Sequence, residues 1–292
     1  MLVPAFIPYF ALPVYEIPVP GLGVLPIDPW ATLVMIGFVV GLEIGRARAI
    51  RLGLDVRDYV DGAVFTVATG FLVAHLYTVV FYFPERLETD GVWALLRVWQ
   101  GFSSTGGLIG AVIGANVFYK WIRPGKMFDY LETMTFGFPF AWFFGRLGCA
   151  SVHDHIGRKT DFFLAMQFPP EHIASGIRHE LGLYEALYMI PVCVAFALLS
   201  RKERPPGFYI AAFVLMYMPI RILLDFLRND DLVQRDARYW GFHKVATGEF
   251  GLTPAQVGMA GILVGALGWL WWRSRQSGVP VGPADPSTAS PP

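Results

Sequence analysis

The chain has 292 residues, of which 54% are hydrophobic and 16% are charged, and its mean hydropathy is +0.47. Soluble domains carry about a quarter charged residues, so this composition excludes an ordinary soluble globular protein and indicates one embedded in a membrane. Lys plus Arg and Asp plus Glu both total 23, and this balance leaves no basic field for binding nucleic acid. The two cysteines, Cys149 and Cys193, lie far apart, which excludes a disulfide framework and a four-cysteine zinc site.

Residues 1–29 contain prolines too frequently for the apolar core of a signal peptide, and we expect them to form an outer N-terminal segment. Seven apolar stretches follow, each long enough to cross about 30 Å of hydrocarbon as a helix. Their approximate bounds are 30–45, 61–83, 106–122, 127–148, 183–200, 207–227 and 254–272. The sequence therefore predicts an all-α polytopic membrane protein, with seven transmembrane helices in a domain over residues 30–272.

The loops between these stretches differ in their content of Lys and Arg. Twelve of these residues lie at the ends of the stretches in one set of alternate loops, and nine are spread over the longer loops of the other set. Because positively charged short loops stay in the cytoplasm, we expect the N-terminus outside and the C-terminus in the cytoplasm. The longer loops, 84–105, 149–182 and 228–253, would then form an outward-facing head. Residues 273–292 are rich in proline and small polar residues, which predicts a disordered cytoplasmic tail.

The third stretch begins with a run of glycines that includes Gly106, Gly107 and Gly110. Glycines at four-residue spacing let the backbone of a neighbouring helix approach closely, which would give this run a packing role. Polar residues ending at Thr105 precede it, and free N–H groups at the start of a helix can receive a phosphate. Both roles stay open, and Thr105, Gly106 and Gly107 are candidate substrate-binding residues.

Residues 145–157, GRLGCASVHDHIG, form the most unusual segment of the chain. Arg146 follows a helix rich in Phe and Trp and lies near the outer edge of the membrane. Its planar guanidinium could bind a lipid phosphate through paired hydrogen bonds, or it could cap the carbonyl groups at the end of the helix. A metal site is the weaker alternative, because the spacing of its ligands is unspecific, and we expect no metal. The residues of such a site would be His153, Asp154 and His155, with His172 or His179.

The sixth stretch contains Arg221, Asp225 and Arg228 at positions i, i+4 and i+7, so their side chains share one helix face. An arginine inside a membrane costs roughly 2.5–3.5 kcal/mol on insertion scales, which favours a functional role. Two arginines against one aspartate leave a positive charge that an anion could neutralise. Tyr184, at the start of the fifth stretch, is either an interfacial anchor or a residue of the substrate site.

The order of these segments resembles that of the bacterial prolipoprotein diacylglyceryl transferases from about Pro20 to Trp271. The matching segments are IDPW, RARAIRLG, AHLYTVVFY, GGLIG, GRLG with Gly157 beyond it, LYEA preceded by His179, RILLDFLR and GLTPAQ. Each segment alone is weakly specific, whereas their order and spacing over nearly the whole chain are specific.

The resemblance implies seven transmembrane helices, an outward head and a location in the bacterial inner membrane. It also implies transfer of the diacylglyceryl group of phosphatidylglycerol to the thiol of a lipobox cysteine, with a thioether and glycerol phosphate as products and no cofactor. The partners would be phosphatidylglycerol, membrane lipid and the signal peptides of prolipoproteins, and we expect a monomer. The residues that match functional positions of the family are the essential arginines Arg146 and Arg221, the signature glycine Gly157, the acidic Asp225 and the second basic Arg228.

The chain departs from the family where a base for the thiol would be expected. The histidine that usually precedes the GG pair is Thr105, which cannot act as a base at neutral pH, and the usual asparagine after GRLG is Cys149. The remaining differences are Trp30 for a tyrosine, His75 for an arginine, and Val152, His153 and Asp154 for Asn, Gly and Glu. Either a substitute base has arisen, with His153, His155 and His75 as candidates, or the chain has lost the transfer reaction.

Transfer is the first hypothesis, with His153 as a catalytic residue beside Arg146 and Arg221. The second is a relative that binds phospholipid or a lipoprotein precursor without transfer, and the third is a lipid transferase with another acceptor. A channel or transporter is disfavoured, because no internal repeat is visible in the sequence.

Overall fold

The structure is a computed structural model that describes residues 6–20, 23–97, 101–205, 207–229 and 254–276. Within these ranges the chain is mostly helical. The helices are α1 (Pro29–Arg51), α2 (Val56–Tyr77), α3 (Glu85–Asp90), α4 (Trp93–Leu96), α5 (Ser104–Val117), α6 (Met127–Val152), α7 (Leu181–Leu199), α8 (Phe208–Asp225) and α9 (Pro254–Gln276). Two of them, α2 and α5, continue into π-helical turns, Thr78–Tyr82 and Phe118–Ile122.

Each of the seven predicted spans coincides with a long helix of the described chain. Three segments are long and apolar enough to cross a membrane, namely Val56–Val80, Leu181–Leu199 and Phe208–Asp225. Two apolar helical segments, Gly106–Ile122 and Gly258–Trp271, are shorter. Helix α9 continues to Gln276, so residues 273–276, predicted to be part of the tail, are helical. Residues 230–253 and 277–292, which hold most of one predicted head loop and of the tail, lie outside the described residues.

The predicted head loop 149–182 contains strands that the all-α prediction missed. These are β4 (Ile156–Lys159), β5 (Met166–Phe168) and β6 (Gly176–Glu180), and the N-terminal segment contributes β1 (Ile7–Pro8) and the hairpin β2 (Tyr15–Val19) and β3 (Gly23–Ile27). The order in the head sheet is β1-β5-β6-β4, with β1 parallel to β5 and the other pairs antiparallel. The sheet therefore joins the N-terminal segment to the head.

Short polar side chains cap the N-termini of three of the long helices. Asp28 accepts a hydrogen bond from the backbone N–H of Ala31 at 2.9 Å at the start of α1, and Asp55 accepts one at 3.0 Å at the start of α2. Ser103 accepts one at 3.3 Å from Gly106 at the start of α5. Each cap satisfies an N–H group that has no partner within its own helix.

Glycines set the closest helix contacts. A Cβ atom added to Gly106 would lie 2.5 Å from the Cβ of Tyr77 and 2.9 Å from the Cα of Ala74, and one added to Gly110 would lie 2.6 Å from the carbonyl oxygen of Thr69. These distances are too short for a methyl group, so α5 packs on α2 through its glycine face, in the way small residues let membrane helices approach.

The helices α6, α7 and α8 share one apolar core. Its buried members are Phe136 on α6, Met189, Val192 and Phe196 on α7, and Tyr209, Phe213, Val214, Tyr217 and Met218 on α8. This core holds the three helices against one another and thereby positions the polar side chains described next.

Candidate active site

A carboxylate on α7 joins arginines from α6 and α8. The Nε atom of Arg146 lies 2.9 Å from Oε2 of Glu185, and the Nε atom of Arg221 lies 3.5 Å from Oε1 of the same residue. The exposed fractions of the three side chains are 7% for Arg146, 8% for Arg221 and 1% for Glu185. Charges this deeply buried are stable only when they are paired, and the structure pairs both arginines with Glu185.

Two aromatic side chains complete the surroundings of Arg146. The hydroxyl of Tyr217 donates a hydrogen bond to Oε2 of Glu185 at 2.5 Å and accepts one from Nη2 of Arg146 at 3.2 Å. The guanidinium carbon of Arg146 lies 4.4 Å from the centre of the Trp142 ring, which is a cation–π contact. The orientation of Arg146 is therefore fixed before any ligand binds.

Asp225 extends the cluster toward the end of α8. Its Oδ1 atom lies 3.1 Å from Nη1 of Arg221 and 3.4 Å from Nη1 of Arg228. Among the described residues, the cluster also includes Arg146 and Glu185, and these five residues comprise three cations and two anions with one net positive charge. Helix α8 ends at Asp225, so Arg228 lies beyond the helix and not on its face as predicted. The side chain of Arg228 is 43% exposed, so the cluster opens at this end. An anion that enters there would meet arginines in a site of low dielectric, where charges interact strongly.

Gly157 holds the head sheet against the end of α8. A Cβ added to this residue would lie 2.5 Å from the carbonyl oxygen of Leu227 and 2.7 Å from the Cβ of His179. Gly157 also forms a bridge with Arg228, and the backbone N–H of Arg158 donates to the carbonyl of Leu227 at 2.9 Å. Only glycine leaves room for this approach, which brings the head next to the arginine cluster.

The segment after Arg146 places three further polar groups beside it. Nη1 of Arg146 lies 3.4 Å from Nε2 of His155 and 4.0 Å from the sulfur of Cys149. Nδ1 of His155 lies 2.5 Å from Oδ1 of Asp154. One potential ligand atom from each of Cys149, Asp154 and His155 lies within 4.8 Å of the others.

His153 lies in the head, and its described contacts are with the N-terminal segment, β5 and β6. Its Nε2 atom is 2.6 Å from the carbonyl oxygen of Phe10, and its Nδ1 atom is 3.7 Å from Oε2 of Glu180. Burial alone would lower the pKa of His153, but the contacts with Glu180 and the Phe10 carbonyl outweigh it and raise that pKa. The structure thus brings His155, and not His153, into contact with Arg146.

The remaining predicted site residues lie on α5 and at the start of α7. Gly106 and Gly107 pack on α2 at Ala74, and Thr105 is in the first turn of α5, with its side chain outside the described part of the chain. The hydroxyl of Tyr184 is 3.1 Å from Nδ1 of His179. Of the residues named for the weaker metal alternative, His179 thus pairs with Tyr184, and the Nδ1 atom of His172 accepts from the backbone N–H of Ala174 at 3.0 Å.

Sequence reasoning missed Glu185 and Tyr217. Tyr217 lies four residues before Arg221 and therefore on the same helix face, which is a signal the sequence did contain. Glu185 is an acidic residue at the start of an apolar stretch, a position that a helix N-terminus alone would explain. A carboxylate at the start of a membrane-spanning stretch needs a cationic partner, and the sequence offers two such partners in Arg146 and Arg221.

Comparisons with known proteins identify the family of the chain. The family model described as prolipoprotein diacylglyceryl transferase matches residues 19–272. The chain belongs to this family. A phosphatidylglycerol–prolipoprotein diacylglyceryl transferase of Chromohalobacter salexigens is 31% identical over 218 residues, 72% of this chain and 78% of the relative. Relatives of the same name from Pasteurella multocida and Legionella pneumophila strain Lens are 28% and 29% identical, cover 89% and 87% of this chain, and are themselves covered to 93% and 95%.

Proposed function

We propose that the chain is a phosphatidylglycerol–prolipoprotein diacylglyceryl transferase. It moves the diacylglyceryl group of phosphatidylglycerol to the thiol of a lipobox cysteine, and it forms a thioether and releases glycerol phosphate. The observation that carries the proposal is the pairing of Arg146 and Arg221 with a single Glu185, which leaves a buried cluster with net positive charge. Family membership supports the same assignment.

The cluster suits the charge change of this reaction. When the bond between glycerol carbon and phosphate oxygen breaks, negative charge collects on the departing phosphate. Preorganised arginines near that oxygen stabilise the transition state more than the substrate, because the substrate phosphate carries less charge. Arg146 and Arg221 are the catalytic residues of the proposal, and Asp225 and Arg228 line the substrate side of the cluster.

The proposed setting is the bacterial inner membrane, crossed by seven helices in a monomer. The head faces outward, where secreted precursors emerge, and the C-terminus lies in the cytoplasm. The three strongly apolar helices support membrane insertion, and the Lys and Arg distribution supports this orientation. Gly157 holds the head at the entrance to the cluster, while Thr105, Gly106, Gly107 and Tyr184 remain proposed substrate-binding residues.

A mass assay tests the proposal. Purified full-length protein in detergent is incubated with phosphatidylglycerol and a lipobox peptide, and the peptide is expected to gain the mass of a diacylglyceryl group. Arg146→Gln should lower kcat/KM about 100-fold or more, since lost transition-state donors cost about this much. Arg201→Gln, a matched change in the exposed turn after α7, is the control.

Because Arg146→Gln leaves Glu185 with one arginine fewer, its thermal unfolding midpoint is measured alongside. Arg228→Gln provides a second, less buried variant, for which we expect a smaller loss of activity and a higher KM for phosphatidylglycerol. Full activity in both folded variants would contradict the site assignment.

A binding protein without transfer activity is the second candidate, and Thr105 in place of the family's histidine favours it. Such a protein would bind phosphatidylglycerol in the same assay and leave the peptide mass unchanged. A mass gain on an acceptor without a cysteine would instead indicate a transferase with a different acceptor.

A further inference from the structure

His155 stands at the edge of the arginine cluster with one nitrogen turned toward it. Its Nε2 atom lies 3.4 Å from Nη1 of Arg146, and its Nδ1 atom is held by Asp154 at 2.5 Å. The His155 side chain is 21% exposed, compared with 7% for Arg146. A molecule bound to the cluster can therefore reach His155 directly.

The two contacts of His155 determine which of its nitrogens carries the proton. A carboxylate only accepts hydrogen bonds, so Nδ1 of His155 is the nitrogen that donates to Asp154. The guanidinium of Arg146 only donates, so Nε2 must present its lone pair to it. A proton on Nε2 would place two donors against each other. These contacts direct the Nδ1 proton of His155 at Asp154 and the Nε2 lone pair at Arg146 and the cluster.

A metal site is the competing interpretation of the group beside Arg146, because Cys149, Asp154 and His155 could each offer a ligand atom. The guanidinium of Arg146 argues against it. Its Nη1 atom lies 3.4 Å from Nε2 of His155 and 4.0 Å from the sulfur of Cys149, two of the atoms that could bind the ion. A cation placed there would be repelled by a fixed positive charge, whereas a phosphate would be attracted.

We propose that His155, oriented by Asp154, is the base that takes the proton of the acceptor thiol at the arginine cluster. This inference rests on the proposed transferase function and assigns the group that replaces the family's missing histidine. An oriented base next to the reacting groups follows the logic of other activated nucleophiles, in which a carboxylate fixes the tautomer of a histidine.

In the proposed step, His155 removes the proton of the acceptor thiol, and the sulfur then displaces glycerol phosphate from the lipid. The S–H proton of the lipobox cysteine moves to Nε2 of His155, which gives up the hydrogen bond that it accepted from Arg146. The proton transfer leaves a thiolate, the reactive form of the sulfur. The thiolate attacks the glycerol carbon that bears the phosphate, so an S–C bond forms while the C–O bond to phosphate breaks. The electron pair of that bond stays on the departing oxygen beside Arg146. The imidazolium then returns its proton to glycerol phosphate or to water.

The test compares pH profiles of kcat/KM for lipobox peptide between pH 6 and 9, with full-length protein and phosphatidylglycerol in detergent. His155→Gln should lower kcat/KM about 100-fold or more at pH 7, within the range attributed to general bases. Its activity should then rise with pH until the peptide thiol ionises unaided near pH ~8.5. Asp154→Asn should lower activity less, with the same pH trend. His172→Gln, a matched histidine change elsewhere in the head, controls for the substitution itself.

The outcomes separate the inference from the function on which it rests. No lipidated peptide from folded wild-type protein would overturn the transferase and the base assignment together. Wild-type activity combined with equal activity in His155→Gln would overturn the base assignment alone. A loss that is equal at every pH, or that appears only as a raised KM for phosphatidylglycerol, would make His155 a structural residue. Wild-type activity that is lost in EDTA and restored by zinc would replace the base with a metal.

Discussion

Glu185 is the only carboxylate in the described contacts that reaches both Arg146 and Arg221. Removing one partner from a buried ion pair destabilises a protein by about 3–5 kcal/mol, because the remaining charge stays desolvated and unpaired. We therefore expect Glu185→Gln to lower the thermal unfolding midpoint in detergent strongly. Tyr217→Phe is the matched control, since it removes one hydroxyl from the same cluster and should cost about 1 kcal/mol.

The double variant Glu185→Gln with Arg146→Gln sharpens this prediction. It neutralises both members of a pair, so we expect it to be more stable than the sum of the two single effects predicts. Equal unfolding midpoints for Glu185→Gln and Tyr217→Phe would show that the carboxylate does not stabilise the arginines.

At the scale of residues, contacts between side chains of the same helix could be predicted from the sequence, whereas contacts between side chains of different helices could not. Arg221 and Asp225 are four residues apart, and helical periodicity alone brings their side chains together. Their link to Glu185 depends on how α7 and α8 are rotated against each other, which no local pattern determines. The choice between His153 and His155 likewise depends on backbone geometry, because His153 ends α6 with a φ of 51°.

At the scale of elements, the contact between β4 and the end of α8 decides whether the head stays next to the arginine cluster. We expect Gly157→Val to reduce kcat/KM about tenfold or more while the protein still folds, because the added side chain would collide with Leu227 and His179 and displace the head from Arg228. A displacement of about 1 Å can cost roughly 100-fold in rate. The measurement is the mass assay together with the unfolding midpoint.

Gly258→Val is the matched control, because nothing lies within 4 Å of a Cβ added at this glycine of α9. Equal activity of the two variants would show that the head contact is dispensable.

The strands of the head sheet were not predicted from the sequence, for two physical reasons. Its strands are two to five residues long, which is too short for the alternation of polar and apolar residues to stand out from a loop. The sheet also pairs β1 with β5, which are more than 150 residues apart, and such pairing has no local signal. The long helices were predicted well, because each apolar stretch is longer than three turns and has helix start and stop signals at its ends.

At the scale of the whole molecule, the distribution of charge predicts the orientation in the membrane. Residues 201–204 follow α7 in the Arg-rich set of loops, and Phe163 lies in the head at 57% exposure. In a background where Cys149 and Cys193 are replaced by serine, we expect Phe163→Cys to react with a membrane-impermeant maleimide in intact cells. Lys202→Cys should react only after the membrane is permeabilised, and the reverse pattern would invert the topology.

We expect the stability of the contact between the N-terminal segment and the head to depend on pH, because His153 and Glu180 titrate there. The pKa of His153 is raised from 6.5 by its contacts, with burial opposing the shift, and burial raises the pKa of Glu180 from 4.5. In both cases the folded state holds a proton more tightly than the unfolded state, so stability falls as pH rises through the folded pKa. Burial lowers the pKa of His172, and the change in stability that results from this shift occurs only below pH 6.5.

We therefore expect residues 6–10 and 156–180 to become less protected as the pH rises above 6.5, and hydrogen exchange corrected for intrinsic rates between pH 6.5 and 8.5 measures this. His153→Asn is the informative variant, because asparagine tolerates the positive φ of this position and does not titrate. The variant should lose the dependence on pH in this window while the exchange of α6, α7 and α8 stays unchanged. If His153→Asn keeps the wild-type slope, a different group links the head to the N-terminal segment.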